Sequence, residues 1–230
     1  MIVGLQKVTL IDFPERIAAT VFLAGCNLDC GFCHNRWMID ASGVKPLLTP
    51  EALLEWLQTR RGLLDGVCLT GGEPLMDRAT PDLVRSIKAK GFAVKLDTNG
   101  TYPERLKALL SAGLVDYVAM DVKAPLDGRY HRVVRRTIDL ERLLSSMVLL
   151  RESDVEWEFR TTLHPLLDDS SLLDLARQLQ TDDNWFLQPF ASAPEVLPEI
   201  RSLSALSEDD LAALMPKLRE IIPGVRVRKS

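Results

Sequence analysis

From residue 17 to residue 190 the chain carries six segments of strand length and composition, separated by five segments with apolar side chains at helical spacing. Strands are expected at 17–23, 66–69, 92–96, 115–120, 155–162 and 185–187. Helices are expected after Thr49-Pro50, after Thr80-Pro81, over 103–112 with a stop at Gly113, over 139–151 and over 170–180. Thr49 and Thr80 each precede a proline and an acid, the order of an N-cap and the first helical turn. Such a succession folds as a parallel sheet with helices on its outer face, and right-handed crossovers curl that sheet towards a barrel. A closed barrel takes eight units and typically about 250 residues. Six units in 230 residues therefore predict an α/β fold, a partial (β/α)6 barrel. One domain spanning 1–230 is expected. Residues 1–16 form an N-terminal flank, 17–190 the barrel core, and 191–230 a helix over 207–222 with a short strand over 225–227.

The first strand of the series breaks into a loop holding Cys26, Cys30 and Cys33, separated by three and then two residues. That spacing lets the backbone wrap one metal centre and offer it three thiolates, soft donors suited to zinc or to an iron-sulfur cluster. A closed zinc site would want a fourth ligand nearby, and His34 stands too close to Cys33 for the usual finger spacing. A cubane cluster normally takes four cysteines, so one held by three would keep an iron open to an outside ligand. Cys68, in the apolar run 66–69, reads instead as a small buried strand residue.

The other polar motifs recur at one place in the pattern. Gly71-Gly72-Glu73, Asp97-Thr98-Asn99, Asp121-Val122-Lys123, Arg160 to His164 and Gln188-Pro189-Phe190 each lie at or just past the C-terminal end of a strand. In parallel α/β folds that end is where ligands bind and chemistry occurs.

Composition narrows the partners. With 47% hydrophobic and 26% charged residues the chain reads as a soluble globular protein, and its net charge of -4 speaks against nucleic acid. No apolar stretch approaches the roughly 20 residues of a membrane span, and the start lacks the basic opening of an export signal. A cytoplasmic protein with no membrane partner is expected. Four cysteines, three of them crowded into one loop, do not make a disulfide framework.

The Cys26, Cys30, Cys33 spacing, with Phe32 directly before the last cysteine, resembles the radical S-adenosylmethionine (SAM) superfamily. The stretch Leu10-Ile11-Asp12-Phe13-Pro14, the run 21–26 and Cys33-His34-Asn35 are similar to the glycyl-radical-enzyme activases, most closely the anaerobic ribonucleotide reductase activating proteins. Gly31 stands where activases often carry proline, and Glu15-Arg16 where a glycine-lysine pair is common.

The resemblance implies that Cys26, Cys30 and Cys33 hold a 4Fe-4S cluster whose open iron is chelated by SAM. It implies that the reduced cluster cleaves SAM to methionine and a 5'-deoxyadenosyl radical, which abstracts hydrogen from a backbone glycine of a partner glycyl radical enzyme. The implied partner is anaerobic ribonucleoside-triphosphate reductase, and the implied electron donor is of the flavodoxin or ferredoxin type. Gly71, Gly72 and Glu73 match the motif that binds the methionyl amine. Asp97, Thr98 and Asn99 match a stretch beside the ribose and carboxylate, and Phe32 the position that meets adenine. Asp121, Lys123, Arg160 and His164 complete the implied SAM contacts, while Asp97 with Met120 and Asp121 resembles a monovalent-cation site.

Plainer readings stand beside these. A glycine pair or an Asp-Thr-Asn-Gly run also ends a strand with an ordinary turn. The basic run Arg129, Arg132, Arg135 and Arg136 is a solvated face or a docking surface for an acidic reductant. The rival activities are a radical SAM enzyme acting on a small molecule and a zinc-bound interaction module.

Overall fold

The computed structural model describes residues 1–228, so Lys229 and Ser230, the end of the expected 191–230 segment, lie outside the described residues. The strands are β1 (Ile2–Thr9), β2 (Ala18–Leu23), β3 (Gly66–Gly71), β4 (Ala93–Thr98), β5 (Tyr117–Asp121), β6 (Glu156–Leu163), β7 (Trp185–Pro189) and β8 (Arg226–Val227). The helices are α1 (Pro50–Gln58), α2 (Thr80–Ala89), α3 (Pro103–Ser111), α4 (Gly128–Val134), α5 (Leu140–Arg151), α6 (Asp169–Gln178), α7 (Pro198–Arg201) and α8 (Glu208–Ile221). Hydrogen-bonded strand order follows sequence order. All six strands of the expected β/α series are present, as β2 to β7.

The chain divides into two compact units, one comprising Met1–Asn27, Trp37–Ala119 and Glu141–Trp157, the other Leu28–Arg36, Met120–Leu140 and residues from Glu158 on. In the first unit the N-terminal flank is an edge strand: β1 runs antiparallel to β2, and β2, β3 and β4 pair in parallel. Ala18, Gly66 and Ala93 share one register row, and Thr20, Cys68 and Lys95 the next row on the same face. The first row is small because Phe13 fills the space beside it. A Cβ on Gly66 would stand 2.8 Å from the Phe13 ring, and Phe13 also packs with Tyr117. Cys68 is fully buried, as its apolar run predicts.

Helix α1 starts at the expected cap, the Thr49 hydroxyl accepting from Ala52 N, and buries Leu53 and Leu57. Helix α2 departs from expectation. Ala79 is the N-cap residue and makes no side-chain cap bond, while the Thr80 hydroxyl donates 2.6 Å to the Pro74 carbonyl. Buried among β3's following loop, Thr80 satisfies a carbonyl there in place of an amide of its own helix.

In the second unit β6, β7 and β8 pair in parallel, and Trp185 donates through its indole to Thr161. Helix α8 begins with a capping box between Ser207 and Asp210. Two short helices, α4 and α7, occur where no helix is expected. Helix α4 buries Tyr130, Val133 and Val134 beneath its arginines.

Candidate active site

The strand-end motifs of the first unit form one hydrogen-bonded assembly. The loop after β2 folds back so that Gly25 N and Cys26 N donate to Met38 O and Ile39 O at 2.7 and 3.1 Å. The loop after β3 lies directly on it, with Gly72 N donating to Leu23 O at 2.7 Å and Glu73 N to Gly25 O at 2.8 Å. Only glycine permits this approach. Gly71 has φ +115° and a Cβ there would meet Leu23 backbone atoms at 2.5 Å, while a Cβ on Gly72 would collide with the Gly25 carbonyl.

Glu73 is the hub of that assembly. Its side chain, 2% exposed, accepts from Leu75 N at 2.9 Å, from the Thr98 hydroxyl at 2.8 Å and from Asn99 N at 2.6 Å. It thereby locks the Gly71-Gly72 loop to the end of β4. Asn99 extends the chain of bonds, donating through Nδ2 to Asn27 Oδ1 at 3.0 Å and to Cys26 Sγ at 3.9 Å. Thr101 closes the ring, its hydroxyl donating to Asn99 Oδ1 and accepting from Asn27 Nδ2. Below, Lys95 on β4 is buried at 1% exposure and pairs with Asp97 two residues along the same face, its amine also 3.9 Å from Cys68 Sγ.

The second unit holds Cys30 and Cys33. Cys33 N donates to Cys30 O at 3.1 Å, and Asn35 N donates to Cys33 Sγ at 3.3 Å. Arg36 clips the loop shut, donating to Cys30 O at 2.9 Å and pairing with Asp29 at 2.6 Å. Leu197 N donates to Gly31 O at 2.9 Å, and a Cβ on Gly31 would stand 3.0 Å from Ile200. The Leu197 and Ile200 side chains crowd this position, so a larger residue here would need them to give way.

Against this loop stands a half-buried charged group. Asp121 accepts from Arg160 Nε at 2.9 Å and from Lys123 Nζ at 3.1 Å. Burial pushes the Asp121 carboxyl up, but Arg160 and Lys123 outweigh it and hold its pKa at about 2. Lys123 shows the complementary balance: burial works against its charge, yet the charges of Asp121, Cys30 and Tyr130 raise its pKa above the ordinary lysine value. The Lys123 amine lies 5.9 Å from the Phe32 ring centroid, and Phe32 stacks on His164 with centroids 4.1 Å apart. Burial lowers the His164 pKa to about 4, so the ring is neutral at pH 7. Leu166 N donates to its Nδ1, which leaves the proton on Nε2 to donate to Lys123 O at 2.9 Å.

Of the expected site residues, the first unit therefore brings together Cys26, Gly71, Gly72, Glu73, Thr98 and Asn99, with Asp97 on Lys95. The second brings together Cys30, Phe32, Cys33, Asp121, Lys123, Arg160 and His164. Sequence reasoning missed Asn27, Arg36, Lys95, Thr101 and Tyr130. Only Lys95 left a signal, as a lysine in an apolar run one side-chain alternation before Asp97.

The donor chemistry of the loop fits an iron-sulfur cluster. All four cysteines carry thiols, and two of the three loop sulfurs accept hydrogen bonds from amide N–H groups, as thiolates bound to iron do. Among the described residues no three His, Cys, Asp or Glu side chains are gathered to hold a bare metal ion.

Comparison with known proteins gives a consistent result. The sequence pattern of the radical SAM superfamily matches residues 20–179. The chain is 32% identical to "Putative glycyl-radical enzyme activating enzyme MJ1227" of Methanocaldococcus jannaschii, over 99% of this chain and 95% of that protein. It is 33% identical to the pyruvate formate-lyase-activating enzyme of Clostridium pasteurianum over 55% of this chain and 54% of that one. Among solved structures, Streptococcus suis SuiB bound to S-adenosylmethionine superimposes with a TM-score of 0.66 at 11% identity, covering 91% of this chain and 52% of SuiB.

Proposed function

The chain belongs to the radical SAM superfamily, with a 4Fe-4S cluster and SAM as its cofactors, and on that premise we propose that it activates a glycyl radical enzyme. The end-to-end correspondence with the Methanocaldococcus protein is the observation that carries this reading. The partner proposed is anaerobic ribonucleoside-triphosphate reductase, with a flavodoxin or ferredoxin-type donor.

Cys26, Cys30 and Cys33 supply the thiolates. When bound, the cluster provides the electron for reductive cleavage of SAM, the source of the radical that abstracts a hydrogen atom from glycine. The protein's own task is placement and exclusion of water. Glu73 and Asn99 fix the Gly71-Gly72 loop and Cys26 in one frame, a backbone that would hold SAM in place. Asp97 and Thr98 end the same strand beside that frame. Lys123, held by Asp121, which Arg160 also pairs, offers a fixed positive charge suited to the SAM carboxylate. The Phe32 and His164 stack offers a flat, uncharged surface suited to adenine. No side-chain acid or base is required for hydrogen-atom abstraction.

The test is incubation of the reconstituted protein with SAM, reductant and the reductase, read by electron spin resonance. A glycyl doublet on the reductase is expected. Cleavage of SAM without a doublet on any glycyl radical enzyme offered would reject activation and favour a small-molecule substrate.

A further inference from the structure

The arginines at the C-terminal end of α4 take no part in the site described above, yet they are joined to it. Arg132, Arg135 and Arg136 are exposed on a chain whose net charge is -4. Arg129, at the start of the helix, is neutralised by Asp127 at 2.7 Å and Asp174 at 2.9 Å. Arg135 shares Asp29 at 3.4 Å and Glu199 at 3.3 Å. Arg132 and Arg136 make no ion pair among the described residues, and they are the positive excess of the face.

Two features tie this face to the cysteine loop. Val134 O accepts from Asp29 N at 3.0 Å, and Asp29 pairs with Arg36, which donates to Cys30 O. The route from arginine face to Cys30 backbone is thus a continuous set of hydrogen bonds within one unit. Arg135 also sits in the left-handed region, φ 53° and ψ 29°, a conformation that costs a non-glycine residue roughly 1 kcal/mol. The chain keeps a charged side chain there and aims it at the loop, where glycine would cap α4 without strain.

The chemistry of the face selects its partner. No large apolar side chain lies exposed between residues 120 and 140. A charged face without an apolar centre suits a short-lived, salt-dependent encounter, the kind that redox partners make.

We propose that Arg132, Arg135 and Arg136 form the docking surface for an acidic single-electron carrier protein that reduces the cluster held by the adjoining cysteine loop. The inference rests on the reading of this protein as an electron-fed radical SAM enzyme. One electron leaves the carrier, which is oxidised, and enters the cluster, which is reduced; no bond forms or breaks and no proton moves.

The test uses the R132E/R136E double variant and the milder R132Q/R136Q, each compared with the unaltered protein. Binding of an acidic flavodoxin is titrated directly against the protein without cluster, at low and high salt, and cluster reduction is timed with reduced flavodoxin and with dithionite. At low salt the charge reversal is expected to weaken flavodoxin binding and flavodoxin-driven reduction about tenfold or more, with the glutamine variant intermediate. Salt should slow the unaltered protein and leave the reversed variant nearly flat. Reduction by dithionite should be the same in all three. Unchanged flavodoxin binding in the reversed variant would overturn the proposal, as would equal losses with both reductants. Failure of the unaltered protein to cleave SAM with dithionite would instead count against the proposed function.

Discussion

Phe32 lies flat on His164, ring centroids 4.1 Å apart and planes within 16°, so a residue of the cysteine loop rests on a buried imidazole at the end of β6. The imidazole is neutral because burial lowers its pKa from 6.5 to about 4.

This gives the protein a pH dependence of stability. Between pH 6.5 and 4 the unfolded chain binds a proton at this histidine that the folded chain does not, so stability falls as pH falls through that window. Below about pH 4 the loss is complete, at most about 3 kcal/mol. Urea unfolding between pH 4 and 7.5 should show it, and the H164Q variant should show a flatter profile over the same range. Asp121, held at about 2, adds a second loss only below its ordinary value of 3.8.

Asn99 donates to Cys26 Sγ, and a hydrogen bond to sulfur favours the more negative, reduced cluster. Removing a bond worth about 1 kcal/mol lowers a one-electron potential by roughly 40 mV. The N99A variant should therefore show a lower cluster potential in a spin-resonance redox titration. An unchanged potential would mean the side-chain amide serves only its bonds to Asn27 and Thr101.

Lys95 and Asp97 form a buried pair, 1% and 14% exposed at their side chains. Removing one partner takes away the opposite charge that offsets the other in this largely buried site, a loss of about 3 kcal/mol. K95M should be destabilised by that amount in thermal or urea unfolding, and K95M/D97N should recover most of it. The same pair bears on the expected monovalent cation. Asp97 has Lys95, and Asp121 has Lys123 and Arg160, so each carboxylate already faces a resident positive charge. SAM affinity is expected to be equal in potassium chloride and choline chloride.

Gly72 faces the Gly25 carbonyl with no room for a methyl group. G72A must push the loop after β3 off the cysteine loop and should lower both the melting temperature and the iron content after reconstitution, whereas G113A, whose Cβ would meet nothing within 4 Å, should bind iron normally.

The six strands were legible because each is a short segment of strand composition, mostly apolar or alternating as in 155–162, set off by turn residues and helix caps. The strand-end motifs were legible for the same reason, since the period of the fold places them. What the sequence hid are interactions that depend on a second residue far along the chain. Glu73 reads as one acid after a glycine pair, and nothing in the sequence says that Thr98 and Asn99 donate to it. Helix α4 was obscured by Arg129 and Arg132 within it and Arg135 and Arg136 just after it, which mask an apolar side made of Tyr130, Val133 and Val134. Thr80 carries a cap signature but spends its hydroxyl on Pro74, a choice set by the packing of the loop after β3.

Anaerobic reconstitution with iron and sulfide, followed by spin resonance of the reduced protein with and without SAM, tests the central claim most directly. The account predicts about four irons and four sulfides per chain and a signal altered by SAM, lost in C26A, C30A or C33A and kept in C68A. Zinc in place of iron and sulfide, or a cluster signal that SAM leaves untouched, would contradict it.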